Sequence, residues 1–90
     1  MIQLIWDLED DPEGNYRHIL EHDVTPDEVE EVLGNRSNPT ATSRSSGSPI
    51  TFGWTSTGKY LAVVWELVEE DPRVVYPITA YPVPEPKSMR

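Results

Sequence analysis

Cysteine is absent from the 90-residue chain, which removes disulfides, iron–sulfur clusters and thiolate metal sites together. No apolar run is long enough to span a bilayer and no signal-peptide pattern is present, so the expectation is a soluble, cytoplasmic protein with no membrane partner. There is no phosphate-cradling glycine loop and no Gly-x-Ser-x-Gly elbow, which sets aside the commonest nucleotide loop and the serine-hydrolase nucleophile turn. Phe occurs once, but three Trp and four Tyr argue against disorder in spite of a net charge of −9. That charge implies solubility and weak non-specific affinity for RNA, and it would suit a basic partner.

Two local shortages say more than the totals. Residues 1–33 carry a single base, Arg17, against eleven acids, whereas residues 34–60 carry no acid and three bases: Arg36, Arg44 and Lys59. Residues 61–90 return five acids and three bases. Electric fields are local, so an acidic chain divided in this way can still present one cationic patch.

Ninety residues make one small domain, expected over 1–81. Pro82, Pro84 and Pro86 mark 82–90 as a proline-rich tail, expected to be flexible and extended. Ile2–Trp6 reads as a first strand. Asn15–His22 reads as a helix with Tyr16, Ile19 and Leu20 on its apolar face. Thr25-Pro26-Asp27-Glu28 supplies an N-cap, a proline at the first helical position and a capping-box acid. The helix it opens is expected to bury Val29, Val32 and Leu33, to expose Asp27, Glu28, Glu30 and Glu31, and to stop at Gly34-Asn35.

Arg36–Pro49 reads as a loop with a short strand near Thr40–Arg44. Ile50–Thr55, Tyr60–Val68 and Arg73–Tyr81 read as strands joined by tight turns, with Pro77 at an edge or a bulge because it has no N–H to donate. The predicted fold is α+β: an N-terminal strand and two helices packed on one face of a four- to five-stranded antiparallel sheet. Its other face would be solvent-facing or an interface. Trp54 and Trp65, both in strands, are expected in the core.

Asn15, His18 and His22 lie within about 60° of one another on a helical wheel. An imidazole pair at i and i+4 is open to three readings: a polar helix flank, an acid/base pair, or two metal ligands lacking an identifiable third. Arg44, Lys59 and Arg73 are the bases able to reach the sheet, and Thr51 and Thr55 share one face of their strand. If these groups converge they form a phosphate grip; if not, they are separate solubilising charges.

Ile5-Trp6-Asp7, then Asn15 and a helix reaching His22, then Asp23–Leu33 and the hairpin Gly53–Val64 together resemble the BrnT family of toxin–antitoxin systems. The resemblance covers roughly residues 2–80. It implies a RelE-like fold, a cognate antitoxin protein as partner, and metal-independent endoribonuclease activity on an RNA substrate. It also implies roles for Asn15, His22, Thr55, Lys59 and Arg73. The candidate catalytic groups are then His22, His18, Lys59 and Arg73, with Asn15, Arg44 and Thr55 binding substrate and no metal or cofactor. The family commonly has a base where this chain has Trp54, and an Arg-rich segment where this chain runs into prolines, so activity is expected to be weakened. The alternative is a non-catalytic interaction module of the same fold, acting through its bare sheet face or an edge strand, with a homo-oligomer as one form of it.

Overall fold

The structure, a computed structural model, describes residues 2–85. Its elements are β1 (Ile2–Leu4), α1 (Asn15–Glu21), α2 (Pro26–Gly34), β2 (Thr40–Thr42), β3 (Pro49–Trp54), β4 (Tyr60–Glu69) and β5 (Arg73–Pro82). They form an α+β fold with one five-stranded sheet in the order β1-β5-β4-β3-β2 and two helices. No described helix is long and apolar enough to cross a membrane.

The sheet is mixed, which corrects the antiparallel expectation. β2, β3, β4 and β5 alternate in direction, but β1 runs parallel to β5, with Ile2 opposite Arg73 and Leu4 opposite Val75. Tight turns force antiparallel pairing only between strands they join. β1 leaves the sheet through both helices and meets a strand at the far end of the chain, so no turn dictates its direction.

The two helices are built as their sequences indicate. Thr25 accepts the Glu28 N–H and Glu28 accepts the Thr25 N–H, completing the capping box around Pro26. At α1, Gly14 lets the helix start against Asp7; a Cβ there would lie 2.6 Å from the Asp7 Cβ. The core gathers Ile19 and Val24 with Val29 and Val32 of α2 against Leu61, Val63 and Trp65 of β4 and Val75 and Ala80 of β5.

Several expected faces turn out otherwise. Leu20 is exposed and Asn15 is buried beside Ile19, because α1 packs along the β5 edge and not squarely over the sheet. Glu28 is buried at 5% exposure, since its carboxylate serves the cap and the β3–β4 turn at once. On β3 the hydroxyl and small side is the inner one: Thr51, Gly53 and Thr55 are buried, while Trp54 is 47% exposed on the opposite face and outside the core. Gly53 is inner because the Asn38 amide occupies the place of its missing Cβ, and that amide donates to the Val32 carbonyl at 2.8 Å.

Pro77 sits beside a bulge, where the register skips Ile78 between the pairs Val64–Thr79 and Trp65–Pro77. The sheet also reaches past the expected domain limit: β5 includes Pro82, and the Val83 N–H donates to the Tyr60 carbonyl at 2.9 Å. The expected tail beyond residue 85 lies outside the described residues.

Candidate functional site

The sequence candidates divide between two ends of the sheet. At one end the β3–β4 turn, residues 55–59, meets the start of α2 and the end of α1. Thr55 closes the turn: its N–H donates to the Lys59 carbonyl at 2.8 Å and its hydroxyl accepts the Lys59 N–H at 3.0 Å. The turn is fastened to α2 by two carboxylates. Glu28 accepts the Thr57 hydroxyl on one oxygen and Lys59 Nζ, at 3.2 Å, on the other. Both oxygens of Glu31 accept the Ser56 N–H, at 2.9 and 3.0 Å. Glu28 and Glu31 stand three apart, hence on one side of the helix. Two members of the acidic N-terminal third are therefore fasteners and not only solvating charge.

Lys59 is consumed by this arrangement. Its ammonium donates to the Asp23 carbonyl and pairs with Glu28, and the exposed Asp23 carboxylate stands 3.7 Å away. Burial alone would raise the Glu28 pKa, but the Thr57 hydroxyl, the Thr25 N–H and Lys59 outweigh it, and the net shift is downward. The carboxylate thus stays ionised against the base.

One residue before Asp23 is His22. Its ring centroid lies 5.1 Å from that of His18, edge to face, and 6.1 Å from that of Tyr81 near the end of β5. Both histidines are exposed. The i, i+4 spacing places the imidazoles together, and β5 brings Tyr81 against one of them. Among the described residues no group of three or more His, Asp or Glu side chains is placed to hold a metal ion.

Asn15 lies deeper, at 3% exposure, and its amide is fully engaged. It donates to the Ile5 and Pro77 carbonyls at 3.0 and 2.8 Å and accepts the Asp7 N–H at 2.8 Å. Asp7 in turn accepts the Asn15 N–H and the Tyr76 hydroxyl. The Tyr76 hydrogen bond, then the Asn15 N–H, hold the Asp7 carboxyl below its ordinary value. The same bond to Asp7, with burial and the negative charge, pushes the Tyr76 phenol up to about 12. Asn15 therefore closes the open edge of β5 and anchors the loop after β1.

Arg73 is at the other end. Nine strand steps carry the chain from it to Pro82, which pairs with Leu61, two residues from Lys59, so the two bases are roughly 25–30 Å apart at about 3.3 Å per step. They cannot grip one phosphate. The Arg73 guanidinium lies 5.1 Å over the Trp65 ring and lines a cleft with Arg36. Arg44 is exposed in the turn between β2 and β3, and it lines neither the cleft nor the histidine cluster.

No family model, curated protein or solved structure matches the chain.

Proposed function

We propose that the chain is a BrnT-like protein of a toxin–antitoxin-type system, with weak, metal-independent endoribonuclease activity at the His18–His22–Tyr81 end. The order strand, two helices, then a run of antiparallel strands supports the reading. The observation that carries it is the pair of exposed imidazoles 5.1 Å apart, with a phenol beside one of them. Imidazole can give and take protons near neutral pH. One histidine would remove the proton of a ribose 2′-hydroxyl as that oxygen attacks the adjacent phosphorus. The other would protonate the departing 5′-oxygen, leaving a 2′,3′-cyclic phosphate and a 5′-hydroxyl.

Weakness follows from the surroundings. Lys59, the base that meets the end of α1, is already neutralised by Glu28 and Asp23, and Glu21 and Asp23 flank His22. Phosphate neutralisation dominates RNA affinity at cellular salt. Incubation with single-stranded and structured RNA in EDTA tests the reading. Slow cleavage is expected, leaving cyclic phosphate ends and falling about a hundredfold in His22→Ala. Cleavage that His18→Ala and His22→Ala leave untouched, or no cleavage at all, overturns it. Both residues are exposed, so their removal leaves the fold undisturbed, whereas Lys59→Ala also destabilises it. A cognate antitoxin, sought by co-purification with the product of the adjacent reading frame, is the expected partner.

A second reading rests on a different observation. The sheet face turned away from the helices carries Ile50, Phe52, Trp54, Tyr60 and Val64 with no charge among them. Tyr60 lies against both Phe52 and Trp54, at centroid distances of 6.4 and 5.1 Å. In a chain of net charge −9, this uncharged stripe is where a second copy meets least repulsion. Light scattering after size exclusion should then give a dimer that Trp54→Lys dissociates. A monomer at all concentrations would remove this reading.

A further inference from the structure

The cleft at the Arg73 end has a physical origin in the length of α2. The helix stops at Gly34, Asn35 turns into an extended conformation, and the inner face of the sheet beyond that point has no helix over it. What remains is a cleft of about 860 Å³, within the range of small-molecule sites. Its floor holds Trp65, whose indole N–H donates to the Thr51 hydroxyl at 2.9 Å, and that hydroxyl pairs with Thr40 at 2.8 Å. The indole and both hydroxyls are therefore positioned by one another and not by a ligand.

Two opposite sets of groups face this space. Arg36 and Arg73 line it, and so do Glu70 and Asp71 of the β4–β5 turn. Yet among the described residues the only salt bridges belong to Lys59, and neither guanidinium has a hydrogen-bond partner. Arg73 is instead held by its face on Trp65. A guanidinium stacked in this way keeps the N–H groups of its rim free for a planar or tetrahedral oxyanion, and this distinguishes it from a lysine tied through its only donor group. Among the described residues no base pairs with Glu70 or Asp71.

We propose that this cleft binds a phosphorylated ribose, as in a ribonucleotide. The phosphate would lie between Arg36 and Arg73, and the ribose hydroxyls would donate to Glu70 or Asp71. The mixed charge selects this chemistry. A bare oxyanion would meet repulsion from the two carboxylates, and a neutral sugar would leave both guanidinium groups unused. A ligand that is anionic at one end and a hydroxyl donor at the other satisfies both sets. The site is independent of the histidine cluster, which lies at the far end of β5, so ribonuclease activity can be present or absent without bearing on it.

The indole N–H resonances of the three tryptophans give a local readout, because Trp65 alone lines the cleft. Titration with AMP, ribose 5-phosphate and adenosine is expected to shift the Trp65 resonance saturably with the two phosphorylated probes and not with adenosine. Arg36→Ala and Arg73→Ala should each weaken binding about tenfold or more, as loss of a charge-assisted hydrogen bond does. Arg36 is exposed and Arg36→Ala leaves the core untouched, so a failure of Arg73→Ala to fold would not blunt the test. Binding of AMP without ribose 5-phosphate would also support the site and would add the base to what is recognised. The proposal is overturned if adenosine shifts Trp65 as AMP does, if Arg36→Ala binds unchanged, or if no probe saturates in the millimolar range.

Discussion

Lys59 and Arg73 carry the same formal charge and stand at opposite ends of the same pair of strands, but they live in different electrostatic settings. Lys59 is held by Glu28, by the Asp23 carbonyl and by the Asp23 carboxylate; Arg73 rests on an indole, and among the described residues nothing accepts from its guanidinium. A base at a strand end is therefore not a base at a ligand's disposal. Its availability is decided by where the acids of another element fall, and α2 delivers its acids to only one end.

The contrast can be broken most severely at Glu28. Glu28→Ala removes half of the capping box, the Thr57 hydrogen bond and the partner of Lys59, and should destabilise the fold by about 2–4 kcal/mol in urea unfolding. Lys59→Ala should cost less, about 1–3 kcal/mol, because it leaves the Glu28 carboxylate buried without its cation but keeps the cap. Arg73→Ala should cost only about 0.5–1 kcal/mol, the scale of one exposed cation–π contact. Arg44→Ala, in an exposed turn, should fall within about 0.5 kcal/mol of the parent.

Acid and alkali separate the two ends by a different route. Glu28 titrates below its ordinary 4.5 in the folded state, so its contribution is complete above pH 4.5 and is lost as pH falls through the folded value. Amides of the Thr55–Lys59 turn should therefore lose protection, relative to their intrinsic exchange rates, on acidification before those around Trp65 do. Equal loss of protection at both ends would contradict the fastening role of Glu28. Tyr76 runs the other way. Its folded value near 12 lies above the ordinary 10.0, so its contribution is complete below pH 10 and fades as pH rises toward 12. Phenolate absorbance should show one of the four tyrosines ionising last, and Asp7→Asn should bring it back into line.

Much of this architecture was legible in local signals. The Thr25–Glu28 cap, the stop at Gly34, the strand order after residue 49 and the bulge at Pro77 all follow from short-range chemistry, and they appear where that chemistry puts them. The His18–His22 contact follows from helical spacing alone. What was not legible depends on partners distant in sequence. Glu28 looks like a solvent-facing helix acid until the β3–β4 turn arrives to receive it. Trp54 looks like core until Asn38 fills the space beneath Gly53 and the hydroxyl side of β3 turns inward. The strand pattern shows that Thr51 and Thr55 oppose Phe52 and Trp54, but alternation cannot say which side the helices cover. The separation of Lys59 from Arg73 follows from β5 crossing the whole sheet, which strand length indicates once both residues are placed at strand termini.

The parallel pairing of β1 with β5 has a consequence for how the chain reaches its fold. Ile2 pairs with Arg73, a sequence separation of about 70 residues. Synthesis proceeds from the N-terminus, so β1 emerges about 70 residues before the strand it pairs with. Until then Ile2 and Leu4 have no strand to pair with, and Asn15 has no Pro77 carbonyl to close upon. Contacts of such high order slow folding, because the loop entropy is lost before the strands reward it. The edge strand that looks most peripheral in space is thus the one whose pairing closes the sheet late.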